Sequence, residues 1–295
     1  MSIARAVSVE MQSASTEYAS RVLIVGKHVE LSKSLEPALL ARNCMFRCAA
    51  GSADSLRQLR LVPFDVVITD PATAVEEDLA LTAELRVIRP GVRVIVLTQE
   101  TTPEDVIAAL RARVFLVMSA PFDADQIAEY ATLAGSEAGS PLGIEVLSAH
   151  RDWISMRVNC QKLTAERVVG FLAELQTRLP EGPREQLMLA FREILMNGIE
   201  HGAEFHPAKV MEVAAVHTQR AIVFYVRDPG RGFRMDEIPH AAVSNPAGAP
   251  IAHLDLRESM GMRPGGFGIL TAKGIVDELI YNEVGNEVLL IKHTA

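Results

Sequence analysis

In the stretch FREILMNGIEHG, residues 191–202, Glu193, Asn197 and His201 recur every four residues and fall on one stripe if the segment is helical. A carboxylate can accept a proton from an attacking hydroxyl, and an amide carbonyl is a hard oxygen ligand for Mg2+. Downstream, RDPGRGF (227–233) places Asp228 at the end of an apolar run, followed by Gly230 and Gly232. A carboxylate there can accept a hydrogen bond from an exocyclic amine such as N6 of adenine, and glycine lets a flat ligand approach closely. A third stretch, RPGGFGIL (263–270), brings Gly265, Gly266 and Gly268 to the start of a helical pattern. A Gly-rich turn at a helix N-terminus offers free N–H groups and the positive dipole end to phosphate.

Taken singly, each motif has a plain structural explanation. The stripe reads as a solvated helix face, the second motif as a tight turn after a strand, and the third as a capping turn. A cap needs one glycine, though, and here there are three. The order sharpens the signal, because the three motifs together supply every part of a nucleotide site. Asn197 would ligate Mg2+, Glu193 would lie one turn before it beside the γ-phosphate, and Asp228 would read adenine. Residues 239–264, with little periodicity, would be a lid.

The elements that must position these residues follow from hydrophobic patterning. Between 21 and 134 the pattern counts five strands, of which RVLIV, FDVVITD, VRVIVLT and the fifth, VFLVM, are the clearest. Helical patterns cover 31–42, 52–61, 77–88, 103–113 and 124–134. Five strands alternating with helices predict a doubly wound α/β domain with a five-stranded parallel sheet. GSEAGSPLG falls in a linker, 135–144, and residues 1–20 read as a flexible tail. Beyond the linker, strands (WISMRVN, KVMEVAAVHT, AIVFYVRD, NEVLLIKH) and helices (164–179, 181–201) do not strictly alternate, which predicts an α+β domain over 145–295. Within helix 181–201, Leu187, Phe191, Ile194 and Leu195 form the core face. Trp153, the only tryptophan, is expected in a core at the domain junction.

The 295 residues suffice for two domains, and a net charge of −8 with no basic run argues against direct nucleic-acid binding or an anionic membrane surface. The longest apolar runs are strand length, and the first twenty residues show no signal-peptide pattern, so a cytoplasmic protein is expected. Three cysteines, Cys44, Cys48 and Cys160, without a CxxC pair, fit a reducing compartment.

Residues 145–295 resemble the GHKL ATPase superfamily, and within it the anti-sigma-factor serine kinases of the RsbW type. Glu193, Asn197 and the trailing EHG with His201 match that family's N-box; Asp228, Gly230 and Gly232 match its adenine box; Gly265, Gly266 and Gly268 match its phosphate box. The resemblance implies a Bergerat-type layer of helices on a mixed sheet, Mg-ATP as ligand, and transfer to a serine or threonine of a partner protein. The family's usual partners are a sigma factor and a small anti-anti-sigma domain, and a homodimer is among the expected assemblies. A sensor histidine kinase fits less well, because His150 lies near a short strand with no long helical hairpin.

Residues 21–134 resemble a response-regulator receiver. Asp70 stands at the phosphoacceptor position, Thr98 at the switch hydroxyl, and APF (120–122) matches the loop after the last strand. The departures are informative. Gly26 and Lys27 stand where that family places two acidic Mg2+ ligands, and Ala120 stands where it has lysine. Phosphorylating an aspartate needs a cation to neutralise the incoming group, so the expectation is a docking or dimerising pseudo-receiver. Lys27 is the candidate to neutralise Asp70. Two functions follow: an ATP-dependent serine/threonine kinase that works by partner switching, or a non-catalytic, ATP-gated binding module that sequesters its partner.

Overall fold

The computed structural model describes residues 19–26, 29–176, 179–234, 241–245, 249, 251–260 and 266–294. Most of the expected tail, Lys27 and Gly265 lie outside these. The N-terminal domain carries β1 (Ser20–Val25), β2 (Cys44–Ala49), β3 (Val66–Ile68), β4 (Arg93–Thr98) and β5 (Leu116–Ser119). They form a parallel sheet in the order β2-β1-β3-β4-β5. Helices α1 (Val29–Ala41), α2 (Ser52–Leu61), α3 (Val75–Ile88), α4 (Pro103–Arg111) and α5 (Ala124–Ser136) cover both faces, so β3 and β4 are buried at every position. Helix α4 starts where it does because Thr102 and Asp105 form a reciprocal capping box with Pro103 at the first turn.

The C-terminal domain carries β6 (Ile144–His150), β7 (Trp153–Asn159), α6 (Lys162–Leu175), α7 (Glu181–Asn197), β8 (Val210–His217), β9 (Ala221–Arg227), α8 (Ala252–Ser259), α9 (Gly268–Ile275), β10 (Glu278–Tyr281) and β11 (Glu287–His293). Its six strands order β10-β11-β9-β8-β7-β6, and every pairing is antiparallel. The expected mixed sheet is therefore corrected: tight turns join β6 to β7 and β8 to β9, and the helical crossover α6–α7 returns to an antiparallel neighbour. One sheet face is apolar. Met211, Val213, Ala215, Ile222, Phe224 and Val226 are buried, and the expected α7 face of Leu187, Phe191, Ile194 and Leu195 packs above them. Phe191 and Phe224 stack with ring centroids 4.6 Å apart. The other face carries exposed ion pairs of Arg157 and Arg227 with Glu145, Glu212 and Glu287.

Several boundaries differ from expectation. Strand β1 begins at Ser20, inside the segment assigned to the tail, and α5 runs to Ser136 and β6 starts at Ile144 within the span assigned to the linker. Trp153 is 53% exposed at the start of β7, so it is no junction core. Among the described residues no helix is long and apolar enough to cross a membrane.

The junction is built instead by α6 lying on β5. A Cβ at Gly170 would come within 2.8 Å of Leu116 Cδ1, so the two elements are in close contact there. Arg167, 3% exposed, donates to the carbonyls of Phe115 (2.7 Å) and Leu142 (2.5 Å) and lies over the Phe115 ring. At the penultimate residue of α6, the Glu174 carboxylate accepts from Ser119 N (3.1 Å), Ser119 Oγ (2.7 Å) and Thr101 Oγ1 (2.7 Å). Three donors on one carboxylate make this a second polar clasp between the domains, beside that of Arg167. Glu174→Ala is expected to destabilise the full chain by about 1–3 kcal/mol, because it orphans half-buried donors. Denaturant unfolding measures the loss, and faster proteolysis between α5 and β6 would locate it.

Candidate functional site

Helix α7 ends at Asn197, and the backbone continues as a π-helical turn, Gly198–Gly202, instead of the single helix to His201 that periodicity predicts. Such turns concentrate at functional sites. Glu193 and Asn197 both face the N-terminus of α9. A Cβ at Gly268 would lie 2.9 Å from Glu193 Oε2, 3.2 Å from Asn197 Nδ2 and 3.4 Å from Asn197 Oδ1. Only a glycine at the first residue of α9 lets that N-terminus come so close to the two side chains.

At the other end of the same cleft, Asp228 follows β9. Its N–H donates to Asn286 O (3.0 Å), and its Oδ1 accepts from Gly230 N (2.7 Å). Glycines wall it in. A Cβ at Gly202 would meet Asp228 Oδ1 at 2.2 Å, and one at Gly230 would meet that oxygen and Gly202 Cα at 2.7 Å each. Gly232 has φ +77°, and a Cβ there would strike Val284 O at 2.0 Å, which pins this turn to the β10–β11 turn. The cleft that joins the two ends has a volume of about 960 Å³ and includes Gly266 and His201 in its lining. His201 and Arg231 are exposed in that lining, whereas Lys273 on α9 is exposed outside it.

Sequence reasoning overlooked Gly198 and Gly202 as walls, and Phe233 and Tyr281, whose rings meet edge to face at 5.2 Å in the lining. The EHG signal contained Gly202; nothing local marked Tyr281. The expected lid is described only in part, and it holds a short helix, α8. There His253 is buried edge-on against Phe267, centroids 4.5 Å apart. His240 lies outside the described residues.

Residues 160–292 match the family described as Histidine kinase-like ATPase domain, and residues 22–132 match the Response regulator receiver domain. The chain joins a receiver domain to a histidine kinase-like ATPase domain. Among solved structures, chemotaxis protein CheY4 of Vibrio cholerae is 19% identical, the match covering 39% of this chain and 98% of that one with TM-score 0.36. A response regulator from Thermotoga maritima is 22% identical over 40% of this chain and 98% of its own, TM-score 0.37. A receiver domain protein from Methanospirillum hungatei is 20% identical over 40% and 95%, TM-score 0.37. Comparison with curated proteins gave no match.

In the ATPase domain, burial pushes the Asp228 carboxyl above its usual range, and the Gly230 N–H opposes the shift. The same burial, and then the Asp228 charge, lift the Cys160 thiol to about 11 and also raise the Tyr281 hydroxyl. Cys160 therefore stays a neutral thiol beside the cleft. A ligand amine that donates to Asp228 needs the ionised form. Affinity for such a ligand is thus expected to hold at neutral pH and to fall on acidification, starting at a pH above that of an ordinary aspartate. Titrating nucleotide affinity against pH measures this, and Asp228→Asn should remove the dependence and cost about ten- to hundredfold in affinity.

In the receiver domain, Asp70 is 8% exposed, and its Oδ1 accepts from Ala72 N (3.0 Å). Gly26 has φ +115°, and a Cβ there would lie 2.0 Å from Asp70 Oδ2. The carboxylate thus fills the space in which a side chain at 26 would stand. Thr98 Oγ1 donates to Glu100 O (2.7 Å). A second carboxyl, Asp78, was not foreseen. It is 3% exposed, accepts from Thr69 and Thr73 hydroxyls, and is pushed up to about 6 by burial.

Proposed function

We propose that the ATPase domain binds Mg-ATP and transfers its γ-phosphoryl group to a serine or threonine of a partner protein. The partner class is a sigma factor or a small anti-anti-sigma domain, as in partner switching. The observation that supports this best is the meeting of Glu193 Oε2 and the Asn197 amide at Gly268, at the N-terminus of α9. It puts a proton acceptor, a hard oxygen ligand and a set of phosphate-facing N–H groups in one place.

The residues fit the nucleotide at both ends. Asp228, cradled by Gly202 and Gly230, accepts from the adenine amine. Gly266 and Gly268 let the backbone approach the phosphates, and the Asn197 carbonyl oxygen is the protein ligand for Mg2+. Among the described residues there is no cluster of three His, Cys, Asp or Glu side chains for a metal, which suits an ion held chiefly by phosphate oxygens. Mg2+ held there would supply charge neutralisation to the phosphates. Glu193 takes the proton of the incoming hydroxyl as its oxygen bonds to the γ-phosphorus, the bond from that phosphorus to the bridging oxygen breaks, and ADP leaves.

A second reading is a non-catalytic, ATP-gated binding module. It is favoured by the receiver domain, where the Asp70 side chain fills the place of a side chain at Gly26 and the chain serves as a docking block. The test is retention of partners from native extract with Mg-ATP and with Mg-ADP, followed by mass spectrometry. A partner with a new phosphoserine or phosphothreonine only under ATP supports the kinase. A partner retained unmodified in a nucleotide-dependent way supports the module.

A further inference from the structure

The two oxygens of Glu193 face different groups. Oε2 faces Gly268 and the phosphate end of the cleft, while Oε1 lies 3.8 Å from Nη1 of Arg192. At that distance the arginine is near the carboxylate without hydrogen-bonding it. What keeps it there is Glu166 on α6, whose two oxygens each take Arg192 Nε at 3.0 Å, with Nη2 at 2.5 Å from Oε1. The fork-on-fork geometry fixes the guanidinium plane. Arg192, Glu166 and Glu193 are only 34%, 22% and 31% exposed, so the cluster is partly shielded from solvent screening.

Helix α6 is also the helix clasped by the receiver. Glu174 lies eight residues, roughly two turns, beyond Glu166 and accepts the three bonds from Ser119 and Thr101. Tyr130 on α5 senses the charges of both Glu166 and Arg192, so a second receiver element borders the cluster. The helix that carries Glu166 is thus held by the receiver at Glu174 and bordered by it at Tyr130.

We propose that Glu166 is a positioning residue that restrains Arg192 and leaves Glu193 free to accept a proton, and that loosening of the receiver from α6 releases Arg192 onto Glu193 and silences the site. This rests on the kinase reading for the role of Glu193. The chemistry supports the direction: a carboxylate held in a close bidentate pair with arginine is a poorer base and is turned from the phosphate end.

The test uses the full chain and the slow ATP hydrolysis expected on the kinase reading, in which water replaces the partner hydroxyl. Glu166→Gln keeps size and removes charge. Expected is a fall in kcat of about tenfold or more, with the KM for ATP within about twofold, because only the base is affected. In Glu166→Gln/Arg192→Gln the arginine is absent and kcat should return to within about threefold of the parent. A purely structural role for Glu166 would not give that recovery. A crystal structure of Glu166→Gln should show Arg192 hydrogen-bonded to Glu193. Unchanged turnover in the single variant, turnover lost and not recovered in the double, or Arg192 turned away from Glu193 in the crystal would each overturn the proposal. If the parent hydrolyses no ATP, the kinase reading fails, and the crystal structure alone then decides whether Glu166 restrains Arg192.

Discussion

Glu193→Ala is expected to lower phosphoryl transfer by about a hundred- to ten-thousandfold, the usual contribution of a positioned general base. ATP affinity should stay within about twofold, because the adenine end of the cleft is built from Asp228, Gly202 and Gly230 and owes nothing to this side chain. The fold should survive as well. Glu193 is about one-third exposed, on the cleft side of α7, while the core side is made by Leu187, Phe191, Ile194 and Leu195. Single-turnover transfer from γ-labelled ATP, alongside a fluorescence titration of nucleotide, separates the two quantities. Glu193→Gln refines the result, since it keeps shape and hydrogen-bonding capacity and removes only the basic oxygen. Parallel loss of transfer and binding would instead assign Glu193 to ground-state binding, and undiminished transfer would remove it from the chemistry.

The second large effect is expected at a residue with no functional group. In Gly202→Ala the new methyl would stand 2.2 Å from Asp228 Oδ1, closer than any real contact, with the Asp228 Cγ and Cβ behind it at 2.5 and 2.8 Å. Something must shift. The π-helical turn is held by its own hydrogen bonds, so the carboxylate is the group to move, away from the position where it accepts from Gly230 N. Overpacking of this kind costs about 1–3 kcal/mol. Nucleotide affinity should fall by roughly five- to a hundredfold, at 1.4 kcal/mol per factor of ten. Gly182→Ala is the control: it lies in the first turn of α7, a Cβ there meets nothing within 4 Å, and the change should be neutral or stabilise by up to about 1 kcal/mol. Calorimetric titration and thermal unfolding of both variants give the comparison. Equal behaviour of the two would show that the Gly202–Asp228 contact does not shape the site.

The sequence was most legible where local chemistry and tertiary packing agree. Helix α2 spans the predicted 52–61, β7 the predicted 153–159, and α4 starts at Pro103 because its capping box is complete within four residues. The three motifs lie in one cleft as far as they are described, since each is local and the sheet sets their spacing. Legibility failed where long-range packing decides. Strand β6 is an edge strand with mostly half-exposed residues, so its pattern is too weak to separate from a linker. Strand β10 is hidden in a run that reads as the continuation of α9, and the break at Val276 has no proline or glycine cap to announce it. The π-helical turn at Gly198 leaves no periodic trace, and the residues packed against it, Met211 and Asp228, come from other elements. Trp153 shows the converse error: size and rarity suggested burial, but its place at the start of β7, after the Arg151–Asp152 turn, leaves it exposed.

Gly26 and Asp70 constrain one another's substitution. Receivers that accept phosphate resemble this domain but carry acidic residues just after the first strand. Gly26→Asp alone would drive a side chain into the Asp70 carboxylate, at a backbone angle of +115° that side chains disfavour. Making room first by shortening Asp70 would discard the carboxylate at the strand end. Either change alone is expected to be a loss, so an acidic residue cannot be installed at position 26 by a neutral single substitution. The contact works as a steric interlock: a side chain at 26 has no room while Asp70 keeps its carboxylate in place, so the two positions can change only together.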